Sequence, residues 1–456
     1  MYRNIKAVLI AMSVGISSPV TAQAQSAIAA KLDSLAGAEV AQKRTVGLVS
    51  AVVKANDTLL LKAYGKADVE WDVPMTTDAM FEIGSIAKQF TATAVLQLRD
   101  AGKLSLDDDI TKWLPDFDTR GNAVPLRRLL DHTSGIHGLT EMPEFGHLAI
   151  NPHFPRDSGY ALIKRYPFQF KPGTAQVYNN SAYWLLGLIV EKASGMTYEE
   201  YVEKKIFEPV GMSRTMYCNS SENIPRRAHG YAIQGGAVRR AGMNVHTWPF
   251  AAGSICSTAG DLVKWLTALH DGKVLSPASY NEMTTPSKLA DGTPVRYGMG
   301  VEVGRNYGGQ MVVGHGGTIE GFRSEASWYP DAKMAVVVLV NSVGGVNPAN
   351  LATELGAAVL PWKQPAFGKF TGDAAGLVGT YRGPSRGREM VVVVTQTPEG
   401  LAFSVNGSPP RALPFLRDLT WQGGNALLEF RRAGETGPAT ELRFDGGGGA
   451  YYVLKR

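Results

Sequence analysis

The sequence predicts an α/β (α+β) protein: a five-stranded antiparallel sheet flanked by helices and carrying a helical subdomain, followed by a small all-β unit. Three observations lead there. Strand-like runs occur after Val46 and return between Gln310 and Asn341. Helical periodicity dominates the interval between them, and beyond Gly368 it gives way to short β-like runs and Gly-rich turns.

At 456 residues the chain exceeds one ordinary core, so a large and a small unit are expected, over residues 25–365 and 369–456. Residues 1–24 read as an export signal. Arg3 and Lys6 form a basic start, Ala7 to Val20 a mostly apolar stretch, and Ala22-Gln23-Ala24 a small-residue cleavage site, with cleavage after Ala24. Gly15, Ser17, Ser18 and Pro19 interrupt the stretch, which falls short of the roughly 20 residues that span a bilayer. No later segment is long and apolar enough to span one, so the expectation is a periplasmic or secreted protein with no transmembrane segment once the signal is removed.

With 44% hydrophobic and 19% charged residues, the composition excludes disordered and fibrous classes. Without Arg3 and Lys6, 44 basic residues face 41 acidic ones, which makes no electrostatic case for nucleic acid. Arginine pairs such as Arg127-Arg128 and Arg431-Arg432 are scattered rather than gathered in a stripe. Cys218 and Cys256 are too few for a disulfide scaffold or a thiolate zinc site; an oxidising compartment permits one bridge, depending on their separation in space.

The elements follow in order. Ala27 to Ala41 has helical spacing. Val46 to Ala55 and Thr58 to Tyr64 read as strands joined at Asn56-Asp57. From Ser85 to about Gly102, Ile86, Phe90, Ala94, Val95 and Leu98 fall on one side of a helix. Leu106 to Leu289 alternates helices, such as Ala182 to Ala193 and Gly260 to His270, with long loops. Gln310 to Gly314, Gly321 to Tyr329 and Met334 to Asn341 complete the sheet, and a helix near Asn350 to Leu360 covers it. After the break at Pro361 to Pro365, five runs predict a small barrel or sandwich: Met390 to Thr395, Leu401 to Val405, Ala426 to Arg431, Glu441 to Phe444 and Tyr451 to Leu454.

Ser85-Ile86-Ala87-Lys88 carries the chemistry. Residues three apart on a helix share a face, which sets the hydroxyl beside the amine. A serine hydroxyl must lose its proton to attack a carbonyl, and a neutral lysine can take it. Burial and the positive end of a helix both disfavour the ammonium, and the same terminus offers the Ser85 N–H to a developing oxyanion. Tyr178-Asn179-Asn180 precedes a helix and can project a phenol and an amide into a cleft. At the end of a strand, the glycines of His315-Gly316-Gly317-Thr318 let a substrate backbone approach closely. Each motif alone has a structural reading: a helix cap, a core tyrosine followed by a cap, and a β-turn.

In this order and spacing the motifs resemble those of the serine beta-lactamases and penicillin-binding proteins, most closely the class C beta-lactamase-like esterases and peptidases. The resemblance extends through SLDDDITKWLPDF (Ser105 to Phe117), LLDHTSG (Leu129 to Gly135), FEPVGMSRT (Phe207 to Thr215) and GSICSTAGD (Gly253 to Asp261), and covers roughly Val46 to Asn341. It implies a beta-lactamase/transpeptidase-like domain followed by a lipocalin-like barrel. It implies that Ser85 forms an acyl-enzyme while Lys88 and Tyr178 share proton transfer, either serving as the general base. Asn180 would bind a substrate amide, Ser85 and Thr318 would supply oxyanion N–H groups beside Gly317, and His315 would line the pocket and orient Tyr178.

One position departs from the family. Antibiotic-degrading members carry Lys-Thr-Gly where this chain has His315-Gly316-Gly317, and a largely neutral imidazole is a weaker anchor for a carboxylate. The expected activity is therefore hydrolysis of ester or amide bonds in small-molecule or short-peptide substrates, with no cofactor and no metal. The alternatives are a beta-lactamase, a D-amino-acid peptidase or carboxypeptidase, and a penicillin-binding sensor without turnover. His132, His137, His147 and His153 cluster in sequence, but no H-E-x-x-H is present, and His132 is read as structural.

Overall fold

The computed structural model describes residues 19–148, 155–219, 221–306, 309–360, 366–423, 426–434, 437–446 and 450–456. Most of the expected signal (1–18), His153 and the expected domain junction (361–365) lie outside the described residues. The first described element is a helix, Pro19–Ala41.

The strand Met334–Val340 organises the large unit, because all seven of its residues are buried. Such a strand reads as a continuous apolar run, covered on both faces. Successive side chains alternate between two cores. Ala335, Val337 and Leu339 enter the core built with the Ala87–Asp100 helix. Met334, Val336, Val338 and Val340 pack with Leu32, Leu351 and Leu355 of the Pro19–Ala41 and Pro348–Val359 helices. The register Val49↔Leu339 and Leu48↔Val340 keeps the neighbouring strand in step, sending Val49 and Ala51 one way and Leu48 and Val52 the other.

The antiparallel sheet runs in the order Val73–Pro74, Asp57–Asp68, Gly47–Lys54, Met334–Val340, Phe322–Tyr329, Met311–Ile319, Glu302–Arg305. Five strands were expected; a short strand at each edge extends them. The strand at the His315 motif does not stop at Gly314. Gly316 and Gly317 continue the pairing, opposite Glu325 and Ser324, and the chain reverses only at Gly321, whose φ is +79°.

The Ala87–Asp100 helix is buried on almost every side rather than along one stripe, since the helices Asn180–Ser194, Tyr198–Val202 and Pro277–Thr284 and the Phe250–Ala252 turn pack around it. Its polar side chains are accommodated by pairing. Thr91 Oγ1 donates to the Ala251 carbonyl (2.6 Å), and Trp265 Nε1 donates to Gln89 Oε1 (2.8 Å).

The C-terminal unit is a near-closed antiparallel barrel of nine strands. Alternate residues fill it, among them Val392, Val394, Leu428, Phe430, Leu442 and Leu454. The four strands not expected are Gly379–Ser385, Arg411–Leu413, Phe415–Arg417 and Thr420–Gly423; three are only three or four residues long, too short for an alternating pattern. The barrel docks on the large unit. Val177 reaches into the barrel core, Leu289 and Val295 pack on Tyr451 and Val453, and Arg296 pairs with Asp445.

Cys218 and Cys256 form a disulfide, with their Cα atoms 5.1 Å apart, where the short strands Met216–Tyr217 and Ile255–Ser257 pair. Among the described residues no helix is long and apolar enough to cross a membrane.

Leu339 is wholly buried on the sheet face whose core includes residues of the Ala87–Asp100 helix. Leu339→Ala is expected to cost about 2–5 kcal/mol, read as a lower urea midpoint with an unchanged m-value.

Candidate active site

Ser85 sits in a 3-10 turn, Gly84–Ile86, that leads directly into the Ala87–Asp100 helix. Gly84 takes φ +53°, and a Cβ there would stand 3.0 Å from the Thr318 backbone nitrogen. Two constraints, conformation and space, therefore require glycine. Opposite, a Cβ on Gly317 would overlap the Ile83 carbonyl oxygen. The pairing of the Met311–Ile319 strand with its outer neighbour Glu302–Arg305 ends at Gly314, and beyond it the freed edge lies against the Ile83–Ser85 turn. The first backbone bonds of that turn run from Ile86 N to Ile83 O and from Ala87 N to Gly84 O, so the Ser85 N–H has no acceptor within it.

Lys88 is wholly buried one turn along. Its Nζ lies 3.1 Å from Ser85 Oγ, 2.8 Å from Asn180 Oδ1 and 2.9 Å from the Ala252 carbonyl oxygen. Burial drives its pKa well below that of a free lysine; Arg386 adds to the fall and Glu141 opposes it. A neutral amine has two N–H groups and one lone pair. Asn180 Oδ1 and the Ala252 carbonyl can only accept, so they take the two N–H groups, and the lone pair faces the Ser85 hydroxyl.

Tyr178 closes the other side. Its ring lies 4.8 Å from Lys88 Nζ, and its buried hydroxyl makes no hydrogen bond of acceptable geometry among the described residues. Burial pushes the phenol pKa up; the nearby Ser85 hydroxyl and Arg386 offset this only in part, so the group is a neutral donor. The loop before it is tied to the Leu129–Gly135 segment by Val177 N to His132 O and Gly173 N to Thr133 O. His132 Nδ1 accepts the Asn179 N–H (3.1 Å), and its ring packs 4.4 Å from Tyr178 and 4.5 Å from Tyr297. Asn179 caps the next helix through Ala182 N, which leaves the adjacent Asn180 free to face Lys88.

His315 does not orient Tyr178. Its Nε2 pairs with the Tyr297 hydroxyl at 2.9 Å and its Nδ1 with the Gly316 carbonyl, while the Tyr178 ring stands 5.8 Å away. The carbonyl can only accept, so Nδ1 carries the proton. Burial, with Lys88 adding, lowers the His315 pKa to about 3, which makes the ring a neutral part of the wall.

The structure thus gathers Ser85, Lys88, Tyr178, Asn180, Gly317 and Thr318 around one point, with His315 one residue layer behind. Sequence reasoning missed the Ala252 carbonyl, Tyr183, Tyr297, Thr140, Glu141 and Arg386. The first is a backbone atom and the others stand in no motif. Gly383-Pro384-Ser385-Arg386-Gly387 does match the G-x-S-x-G pattern of a hydrolase elbow, but it lies at a barrel hairpin, where the Ser385 hydroxyl donates to the Arg388 carbonyl. A cavity of about 230 Å³ lined by Tyr297, His315 and Glu325 reaches neither Ser85 nor Lys88.

Fold and site together define a class: a beta-lactamase-like domain in which a serine hydroxyl, a buried lysine amine and a tyrosine phenol converge. The chain belongs to the beta-lactamase family, whose model, described as Beta-lactamase, matches residues 32–360. It is 26% identical to a D-aminopeptidase of Gluconobacter oxydans over 353 residues, 77% of this chain and 66% of that one. The structure of a D-amino acid amidase from Ochrobactrum anthropi is 28% identical and superposes with a TM-score of 0.61 over 72% of this chain and 97% of that one. An octameric penicillin-binding protein homologue from Pyrococcus abyssi is 25% identical and gives a TM-score of 0.64 over 93% of this chain and 99% of that one. The chain spans only 61–66% of the length of several curated relatives it matches.

Two predictions arise from this geometry. Gly317→Val forces the strand away from the Ser85 turn and is expected to lower kcat/KM by at least about tenfold, with a lower Tm. The second concerns pH. Unfolded histidine binds a proton below about 6.5, whereas buried His315 does so only near 3. The native state therefore holds fewer protons in that window, and stability is full above about pH 6.5 and falls as the pH drops toward 3. His270, also lowered to about 3 by burial, and His132, lowered as well, act in the same direction. The urea midpoint measured across this range is expected to fall, and less steeply in His315→Gln.

Proposed function

We propose that the protein hydrolyses ester or amide bonds of small substrates through a covalent acyl-enzyme on Ser85. One observation carries this reading: a fully buried lysine amine whose N–H groups are occupied by Asn180 and Ala252, with its lone pair left for the Ser85 hydroxyl. In the proposed cycle Lys88 takes the Ser85 proton as Oγ bonds to the substrate carbonyl carbon. The N–H groups of Ser85 and Thr318 receive the oxyanion. The bond to the leaving alcohol or amine then breaks, and the neutral Tyr178 phenol supplies the proton that group needs; Lys88 restores it to the phenol. Water adds to the acyl carbon, its proton passing to the same pair. The Oγ–carbon bond breaks, and Ser85 recovers its hydrogen as the carboxylic acid leaves.

The relatives' names, D-aminopeptidase and D-amino acid amidase, favour amides and short peptides of D-amino acids as the substrate class. A buried, neutral His315 in place of an ammonium favours these over beta-lactams. We further propose export to the periplasm or medium with cleavage after Ala24, supported by the N-terminal pattern and by the Cys218–Cys256 bridge, since disulfides persist in oxidising compartments. Recovered protein that still begins at Met1 would contradict this.

Ser85→Ala is expected to reduce turnover of p-nitrophenyl acetate and of D-amino-acid amides by at least about a thousandfold; equal rates in the two proteins reject the assignment. A single burst without steady turnover would identify a sensor instead. Because Lys88 acts as the free amine, kcat/KM is expected to be full above its depressed pKa and to fall as pH drops through it. A panel of acyl esters, D-amino-acid amides and a chromogenic cephalosporin tests substrate class, and a strong preference for the cephalosporin contradicts the reading of His315.

A further inference from the structure

The barrel hairpin formed by Gly379–Ser385 and Arg388–Thr397 carries Arg386 at its tip, and this tip lies on the catalytic residues of the other unit. Arg386 Nε donates to Glu141 Oε1 at 2.7 Å, and its Nη2 donates to Thr140 Oγ1 at 3.0 Å. The adjacent Gly387, at φ +68°, has no Cβ; one would stand 2.9 Å from the Glu141 Cβ. The hairpin therefore seats directly on the Leu139–Glu141 turn.

The Thr140 hydroxyl has one hydrogen and two lone pairs. It gives the hydrogen to Glu141 Oε1 (2.8 Å) and accepts from Arg386 and from Asn180 Nδ2, the latter at 3.2 Å. With all three positions committed, Thr140 can only accept from Asn180. The Asn180 amide is thereby held with its NH₂ toward Thr140 and its oxygen toward Lys88. A flipped amide would turn its N–H groups on the amine and displace the lone pair that faces Ser85.

We propose that Arg386 is a positioning residue for catalysis, through which the barrel sets the direction of the hydrogen-bond chain Arg386–Thr140–Asn180–Lys88–Ser85. The inference rests on the acyl-enzyme reading above and deepens it. Arg386 also acts through charge. The groups facing the Lys88 amine are the rings of Tyr178 and Tyr183, His132 and His315, and the charged pair Arg386 and Glu141. Both histidines are held neutral by burial, so the cation that disfavours a charged amine is Arg386, with Glu141 opposing it.

The test uses the full chain, with p-nitrophenyl butyrate and a D-amino-acid amide as substrates. Arg386→Met is expected to lower kcat about tenfold with KM changed less than about threefold. It is also expected to move the acidic limb of the kcat/KM profile to higher pH, because losing the neighbouring cation raises the Lys88 pKa. Arg386→Lys is expected to return the limb toward its native position while recovering only part of kcat, since a point charge cannot hold both Glu141 and Thr140 as a planar fork does. Thr140→Val, which breaks the chain without removing charge and leaves the Arg386–Glu141 contact in place, is expected to lower kcat and leave the limb in place.

An unmoved limb in Arg386→Met overturns the inference, as does native kcat in Thr140→Val, which stays informative should Arg386→Met loosen the barrel. Ser85→Ala is run alongside. Turnover surviving it defeats the acyl-enzyme reading, whereas an inactive Ser85→Ala with unchanged Arg386 and Thr140 variants defeats this inference alone.

Discussion

A primary amine with no access to water is the constraint around which this molecule is arranged. Burying an ammonium is expensive, so the buried group neutralises, and the neutral form still requires partners for both of its N–H groups. Those partners come from separate parts of the chain: the amide of Asn180 at a helix start, and the carbonyl of Ala252 in a 3-10 turn. The lone pair that is left defines where a nucleophile must stand, and Ser85 stands there. Most of the large unit can be read as the means of delivering these groups to one dry point.

The proposed chemistry asks the same point to admit a substrate carbonyl, which demands that two backbone segments meet without side chains between them. Gly84 and Gly317 meet that demand from opposite sides, one in the nucleophile turn and the other in a strand whose edge is free only beyond Gly314. The sheet interior makes the approach rigid. Met334–Val340 is buried on both faces, and its pairing with Phe322–Tyr329 fixes the strand that carries His315 to Thr318. Rigid elements hold catalytic geometry better than loops do.

The barrel is joined to this arrangement through contacts of two kinds. Val177 sits in the barrel core while the next residue, Tyr178, faces Lys88, so packing in one unit anchors a site residue of the other. The hairpin tip adds a charge beside the buried Lys88 amine. A small β unit without a catalytic motif of its own thus bears on both the shape and the electrostatics of the site.

Local pattern made much of this legible. The alternating and continuous apolar runs marked the five main strands, because side-chain direction in a strand depends only on position along the chain. The spacing of Ser85 and Lys88 placed hydroxyl and amine on one face, because three residues make nearly one helical turn. What depended on distant segments was not legible. The His315 strand was expected to end at Gly314, since its glycines look like a turn until Glu325 and Ser324 are seen to pair with them. His315 was expected to reach Tyr178 and instead bonds Tyr297, a residue in no motif. Ala252 contributes only a carbonyl, which any residue carries, and Arg386 lies 298 positions after Lys88 in a different unit. Residue type and spacing along the chain therefore specified the converging groups and their scaffold. Which acceptors those groups face, and hence their protonation and direction, was decided only when packing brought remote backbone and side chains together.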